Sequence, residues 1–433
     1  MAKKMSFADL DNKMSKISPK GSILSKNAFS RVDEWINTGN YMFNAQLSGS
    51  IFGGFPNSRS VMLSGDPGTG KTFLTLNACR EAQKMGYEII YCDTEAAVDE
   101  DVMVKFGIDP DRVRYQPIGS VSEMRTFASN LIATIKGAVE SGIEVPKIMM
   151  VLDSLGNMAT SKEKADAESG HTAKDMTKQG ELRSMFRVLT TDLAEFKIPF
   201  IITNHTYQGF GMFATKEVSG GGGAKFNASI ITMLGKSKLD EGNAKAKEAE
   251  MKQTGIIVTS RIMKNRFSRP IPVRFHISFF NGMNPYTGLE KYITWESCGI
   301  ERGKVYDEKT IDKEFPKWSD AVKKTHNGVK TLEEYKEQFG WKSKDGEMLF
   351  FFRMPTARSI AVRHLDKQIA PSELFTPTVL TEQVLHEIDD KVIKPLFQLP
   401  EIGSMNQIDF TELEEIAEIV DAANALDGEE END

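Results

Sequence analysis

Cysteine is scarce: Cys79, Cys92 and Cys298 are the only three in 433 residues. Their spacing suits neither a metal site nor a disulfide framework, and so sparse a count points to a reducing compartment. Long apolar stretches are missing as well. No run of about 18 apolar residues occurs, which excludes a membrane-spanning helix, and the N-terminal lysines precede no apolar segment of the kind a secretory leader needs. The protein is therefore expected in the cytoplasm. An excess of positive charge is also absent, with 54 Lys and Arg against 61 Asp and Glu and a net charge of −7. Asp409–Asp433 contains no Lys or Arg, so an acidic tail takes up the negative excess and basic patches remain open elsewhere. What is present, 40% hydrophobic, 9% aromatic and 27% charged residues, is the profile of a soluble globular protein. The length exceeds the roughly 250–300 residues at which a single core stops growing, so one large domain with smaller appendages is expected.

Residues 1–31 are polar and rich in Lys and Ser. Phe7, Leu10, Met14 and Ile17 at helical spacing, and the separate Ala28 and Phe29, read as an arm. From Ser60 onward, Val61–Ser64, Glu88–Asp93, Lys147–Asp153 and Ile198–Asn204 read as buried strands. Between the last two, Met176, Leu182, Met185, Phe186, Leu189, Leu193 and Phe196 mark one face of a long helix. Strand, helix, strand implies a parallel sheet. Ser229–Leu234, Gly255–Met263 and Pro272–Phe280 follow one another without helices and are expected as antiparallel strands extending one edge. Asp240–Gln253 is charged throughout and reads as an exposed connection. From Tyr292 the pattern becomes mixed and aromatic, as in Trp295, Trp318, Trp341 and Phe350–Phe352, which suits a small separate C-terminal domain. The fold class is α/β, and the divisions expected are 1–31 (arm), 32–290 (core), 291–400 (C-terminal domain) and 401–433 (acidic tail).

Gly65–Thr72 reads GDPGTGKT and satisfies G-x-x-x-x-G-K-[ST] directly after the strand Val61–Ser64 and before the helical stretch Phe73–Gln83. Glycines at 65, 68 and 70 let the backbone turn its N–H groups toward phosphate, with Asp66, Pro67 and Thr69 completing the turn. The helix N-terminus adds a favourable dipole. Lys71 reaches the β- and γ-phosphates and Thr72 is a magnesium ligand, so ATP with Mg²⁺ is the expected ligand. A second ligand is needed at the end of a neighbouring strand, and Asp153 closes the apolar run Ile148–Leu152. A helix N-cap is the other reading of an Asp-Ser pair there. Glu95, just beyond the strand Glu88–Asp93, suits the activation of an attacking water, or is a solvated carboxylate.

The phosphate loop, Tyr91–Asp99 (YCDTEAAVD), Val151–Ala159 (VLDSLGNMA), Ile201–Gln208 (IITNHTYQ), Ser219–Phe226 (SGGGGAKF) and Arg261–Pro270 (RIMKNRFSRP) occur in that order. Together they resemble the RecA family of recombinases and, within it, the UvsX-type recombinases of large tailed phages, over Val32 to Leu289. The resemblance implies a RecA-like P-loop NTPase core with a mainly parallel twisted sheet, an N-terminal oligomerisation arm and a small C-terminal α/β domain. It implies that Glu95 is the catalytic glutamate and Asp153 the magnesium-site aspartate, and it sets Phe73 and Asp99 beside the nucleotide. His205 matches the γ-phosphate sensor, where the RecA pattern has glutamine; as a bare residue it would read as a core histidine. Lys264 and Arg266 match the pair that reaches across the subunit interface to the neighbour's ATP, with Arg replacing the second Lys. The arm is implied to dock on the preceding subunit, with Phe29 as its anchor or else an ordinary staple.

Two polar stretches match the family's DNA-binding loops, Ser161–Lys174 and Gln208–Lys225. In the second, Phe210, Met212 and Phe213 suit stacking on bases, and Gly220, Gly221, Gly222 and Gly223 with Lys225 suit backbone contact to phosphate. Arg183 and Arg187 lie four apart on one helix face, and Arg187 matches a backbone-contacting position. The function implied is a DNA-dependent ATPase that forms helical filaments on single-stranded DNA and exchanges strands with a homologous duplex. Single-strand-binding and mediator proteins are further partners. A ring-forming helicase or translocase shares this core, and a DNA-binding protein using ATP only as a switch would need no catalytic glutamate. The acidic tail would compete with DNA for the basic groove, recruit basic partners or serve solubility.

Overall fold

The computed structural model describes residues 5–18, 21, 23–26, 31–169, 177–208, 216–218, 228–240 and 253–400. They form two compact units, Met1–Pro285 and Tyr286–Asp433. No described helix is long and apolar enough to cross a membrane.

The first unit is built on one mixed sheet of nine strands. Its parallel part begins with β3 (Ser60–Gly65), β4 (Glu88–Asp93), β5 (Val113–Pro117), β6 (Ile148–Asp153) and β7 (Phe200–Asn204), after two short strands, β1 (Trp35–Ile36) and β2 (Phe55–Pro56), that pair with each other. A small hairpin, β8 (Thr206–Gln208) with β9 (Lys216–Val218), follows; then come β10 (Ile230–Asp240), β11 (Gln253–Lys264), β12 (Val273–Ser278) and β13 (Gly282–Met283). The order is β13-β12-β11-β10-β3-β7-β6-β4-β5. β3, β6 and β7 are buried along nearly their whole length, which is why they read as continuous apolar runs rather than alternating ones. Their alternate residues serve opposite faces. Met62, Ile90, Met150, Leu152, Phe200 and Ile202 join one core with Val121, Met124, Ala128 and Ile132 of α5 (Val121–Glu140) and with Leu182, Met185, Phe186, Leu189 and Leu193 of α7 (Lys178–Glu195). On the other face α3 (Lys71–Lys84) packs against β3, β4, β6 and β7. The short helix α2 (Tyr41–Ser48) packs against β12.

Two expectations need correction. The strand at Ser229–Leu234 was expected to be antiparallel to its neighbours, but β10 runs parallel to β3, with Ile231 beside Met62 and Leu234 beside Gly65. Antiparallel pairing begins only at β11. Residues 205–229 join the end of β7 to the start of β10, a connection long enough to return the chain so that β10 enters in the same sense as β3. The stretch Ser161–Lys174 was expected as a loop, yet its first part is the helix α6 (Ser161–Ser169). A capping box starts it: Glu163 N–H donates to Thr160 Oγ1 (2.9 Å) and Thr160 N–H donates to Glu163 Oε2 (2.8 Å). Residues 170–174 lie outside the described residues, as do 241–252 of the expected connection between β10 and β11.

At the N-terminus, α1 (Phe7–Ile17) starts from a Ser6–Asp9 capping box and leaves Phe7, Leu10, Met14 and Ile17 exposed. The second unit holds a five-stranded antiparallel sheet ordered β15-β16-β14-β17-β18: β14 (Ile300–Asp307), β15 (Gly340–Lys342), β16 (Met348–Arg353), β17 (Ile360–Val362) and β18 (Lys367–Ile369). Its core is aromatic: Trp295 stacks on Phe351 with ring centroids 4.1 Å apart, and Phe315, Tyr335, Phe339 and Phe350 surround them.

Ile202 sits on the central strand β7 between the sheet and α7, fully buried. Ile202→Ala is expected to cost about 2–5 kcal/mol of stability in denaturant unfolding of the first unit; a loss under about 1 kcal/mol would contradict this placement of the core.

Candidate active site

The phosphate loop joins β3 to α3, and its shape depends on two glycines. Gly68 (φ +75°) and Gly70 (φ +87°) take the left-handed conformation, which side chains with a Cβ disfavour. A Cβ on Gly65 would stand 2.7 Å from the Leu234 carbonyl oxygen and the Thr69 hydroxyl. Lys71 is nearly buried and donates from Nζ to the carbonyl oxygens of Gly65 (2.8 Å) and Asp66 (3.0 Å). Burial lowers its pKa, countered in part by Asp153, Glu95 and Asp66. From β10, Lys236 Nζ donates to the Pro67 carbonyl oxygen (2.8 Å), and the Thr206 hydroxyl donates to Asp66 Oδ1.

Asp153 closes β6 and is only 7% exposed. Its Oδ2 accepts from the hydroxyls of Thr72 (2.8 Å) and Tyr91 (2.9 Å), and its Oδ1 from Thr203. The residue is therefore no helix N-cap: its carboxylate is aimed at the start of α3. Burial, and then the neighbouring Asp153, push the Tyr91 phenol well above its ordinary range. Beyond β4, Glu95 Oε1 accepts from Ser154 Oγ (2.8 Å) and lies 3.3 Å from His205 Nε2. Pro67, Gly68, Gly70, Lys71, Thr72, Phe73, Glu95, Ala97, Asp153, Ser154 and His205 line one cleft of about 280 Å³. Glu95, Asp153 and His205, far apart in sequence, thus meet the phosphate loop in one place.

The cleft fits a nucleoside polyphosphate with a divalent cation. The phosphate loop at the start of α3 and one lysine line it, and Thr72 with Asp153 supplies two hard oxygen donors. No group of three or more His, Cys, Asp or Glu that could hold a metal by itself occurs among the described residues. One carboxylate and one hydroxyl suit a magnesium ion that would take its other ligands from substrate phosphates and water.

Other expected site residues fall elsewhere. Asp99 is not in the cleft lining; its Oδ1 accepts from Val102 N–H (2.9 Å) and caps α4 (Glu100–Lys105). Lys264 ends β11, opposite Ile231 and hence level with Met62. That position is three strand residues, about 10 Å, back from Gly65, and Arg266 lies further along. Neither lines the cleft of its own chain. Burial, and then Arg266, lower the pKa of Lys264, and the same two causes act on Arg59, so cationic groups crowd at the sheet edge opposite the phosphate loop. Arg183 and Arg187 are exposed on the outer face of α7. The helix begins near the cleft: Lys178 Nζ donates to the Gly156 carbonyl oxygen (3.2 Å), and a Cβ on Gly156 would stand 3.1 Å from the His205 ring. Phe29, Phe210, Met212, Phe213, Gly220, Gly221, Gly222, Gly223 and Lys225 lie outside the described residues, as does the acidic tail. All three cysteines are buried free thiols, and burial pushes Cys92 up to about 12.

Sequence reading missed Tyr91, Asp93, Ser154, Thr203, Thr206 and Lys236. Most of these sit at or just past the carboxyl end of a buried strand, the side on which open α/β sheets bind ligands, and polar residues closing apolar runs were the available signal.

Residues 6–284 match the RecA N-terminal domain family. The chain is 26% identical over 389 residues to the recombination and repair protein of Enterobacteria phage T4, covering 87% of this chain and 89% of that protein. It is 28% identical over 276 residues to the RecA protein of Leptospira biflexa, covering 62% and 65% respectively. With the RecA protein of Paracoccus denitrificans the identity is 28% over 297 residues, covering 65% and 78%.

Lys71→Ala removes the one cation of the loop that faces the cleft. It is expected to weaken ATP binding roughly 10- to 100-fold in equilibrium titration, the worth of one or two charge-assisted hydrogen bonds; an unchanged affinity would contradict the assignment.

Proposed function

The chain belongs to the RecA family, and from that membership we propose that it is an ATP-dependent recombinase that assembles on single-stranded DNA, pairs it with a homologous duplex and exchanges strands. The observation that carries the reading is the division of its cationic groups between two edges of one sheet. The cleft gathers Lys71, Thr72, Asp153, Glu95 and His205, while Lys264 lies about 10 Å short of the phosphate loop along the strands, at the other edge. Within one chain Lys264 and Arg266 are too far away to touch the phosphates. Repeating the chain head to tail brings this edge of one copy to the cleft of the next, a heterologous contact that generates filaments.

Each residue then has a part. Lys71 leaves the Gly65 and Asp66 carbonyl oxygens for the β- and γ-phosphate oxygens. Ser154 and His205 both hold Glu95 Oε1, and Oε2 accepts the proton of the attacking water. Magnesium, held by Thr72 and Asp153 with phosphate oxygens, would neutralise charge as the terminal phosphate departs. Lys264 and Arg266 of the neighbouring copy stabilise the same charge, so turnover requires assembly. His205 begins the segment leading through β8 to the stretch Gln208–Lys225, which we assign to DNA together with Arg183 and Arg187. Repeated along a filament, these arginines give a basic groove despite the negative total charge. The exposed stripe of α1, Phe7, Leu10, Met14 and Ile17, suits an arm that covers itself on an adjacent copy.

Two outcomes test the reading. Single-stranded DNA should raise ATP turnover strongly, and DNA-independent turnover would count against recombination. Lys264→Ala and Arg266→Ala should each cut DNA-stimulated turnover at least about 100-fold, as loss of an arginine finger does, with nucleotide affinity of the dilute monomer unchanged. A parallel loss of monomer affinity would contradict action between copies.

A further inference from the structure

We propose that Asp93 is a positioning residue for catalysis: its carboxylate clamps the Glu95–Val98 loop with Ala96 in a left-handed conformation and so fixes where Glu95 stands. The inference rests on reading Glu95 as the group that accepts the water proton. Asp93 and Asp153 are register partners at the carboxyl ends of adjacent strands, yet they bind different neighbours. Asp153 lines the nucleotide cleft, whereas Asp93 does not and is only 3% exposed.

Both oxygens of Asp93 are turned onto the loop that follows it. Oδ1 accepts from Glu95 N–H (2.8 Å); Oδ2 accepts from Ala97 N–H (3.0 Å), Val98 N–H (3.3 Å) and the Tyr115 hydroxyl (3.2 Å). Burying a carboxylate is costly unless it is well hydrogen-bonded, and these four donors meet that need. The three N–H groups bracket Ala96, whose φ is +52°. An L-residue with a Cβ is disfavoured there and persists only where the surroundings hold it. With the clamp in place, Glu95 emerges from the loop at the point where Ser154 Oγ and His205 Nε2 meet its Oε1. Released from the clamp, Ala96 returns to an ordinary conformation and swings the Glu95 side chain off the line of attack, while Lys71, Thr72 and Asp153 stay where they are.

The test uses the full chain with single-stranded DNA and ATP. Asp93→Asn keeps an acceptor for Glu95 N–H but turns an amide donor toward Ala97 and Val98. It is expected to lower kcat about tenfold or more while KM for ATP changes less than about twofold. Adding Ala96→Gly, which adopts the left-handed conformation freely, should recover about fivefold of that loss. Tyr115→Phe removes only the donor at the exposed edge strand and should lower kcat about threefold at unchanged KM; if Asp93→Asn does not fold, this variant alone decides. Unchanged kcat in Asp93→Asn, or a fall in kcat and affinity together with no rescue by Ala96→Gly, overturns the proposal in favour of a structural cap. Glu95→Gln separates the two levels. Turnover persisting in that variant would refute the role of Glu95 itself, whereas turnover lost there but intact in Asp93→Asn would refute only the clamp.

Discussion

Asp153 accepts hydrogen bonds from the hydroxyls of Thr72 on α3, Tyr91 on β4 and Thr203 on β7, and the rest of the site is placed relative to that carboxylate. It ties the first turn of the phosphate-loop helix to the ends of three neighbouring strands. The next residue, Ser154, reaches Glu95, and through Glu95 the network extends to His205 on the far side. A carboxylate this buried is tolerable only because its acceptor sites are filled. A hydroxyl that donates to it keeps its lone pairs free. On the proposed function Thr72 would therefore have two uses, holding the loop in register and offering a ligand to magnesium.

Parallel topology makes the convergence possible. Because β3, β4, β6 and β7 all run the same way, their carboxyl ends lie along one edge, and residues more than a hundred positions apart meet there. The same rule sends Lys264 and Arg266 away. β11 returns antiparallel to β10, so its C-terminal end emerges at the opposite edge. One strand reversal thus separates Lys264 and Arg266 from Lys71, and on the proposed function the pair acts on the ATP of a neighbouring copy.

Much of this was legible in the sequence because burial on both faces leaves an unbroken apolar run. Val61–Ser64, Glu88–Asp93, Lys147–Asp153 and Ile198–Asn204 all mark strands that are present. β5 was not legible: at the sheet edge its Val-Arg-Tyr-Gln-Pro sequence has no fully buried residue and no apolar signal. α6 was read as loop because Lys and Glu surround it and no apolar stripe exists to reveal its period, although its Thr160–Glu163 capping box was visible in the letters. Among site residues, Lys71, Thr72 and Asp153 could be argued from motif and strand ends, whereas Glu95 by itself read as a solvated carboxylate until the family resemblance was added. His205, Lys264 and Arg266 depended on family resemblance, since a lone histidine and a short basic pair carry no chemistry by themselves. Tyr91, Thr203 and Asp93 acquire meaning only when strands distant in sequence become neighbours.

On the proposed function one chain carries half of an ATP site on each of two edges, and subunit mixing tests this most directly. A Lys71→Ala chain retains Lys264 and Arg266, while a Lys264→Ala, Arg266→Ala chain retains the phosphate loop. Each alone should be inactive on single-stranded DNA. In an equimolar mixture, random head-to-tail assembly joins an intact loop to an intact basic pair at about a quarter of interfaces, and turnover should recover toward that fraction of the unmodified protein. A mixture as inactive as its components would contradict the shared site.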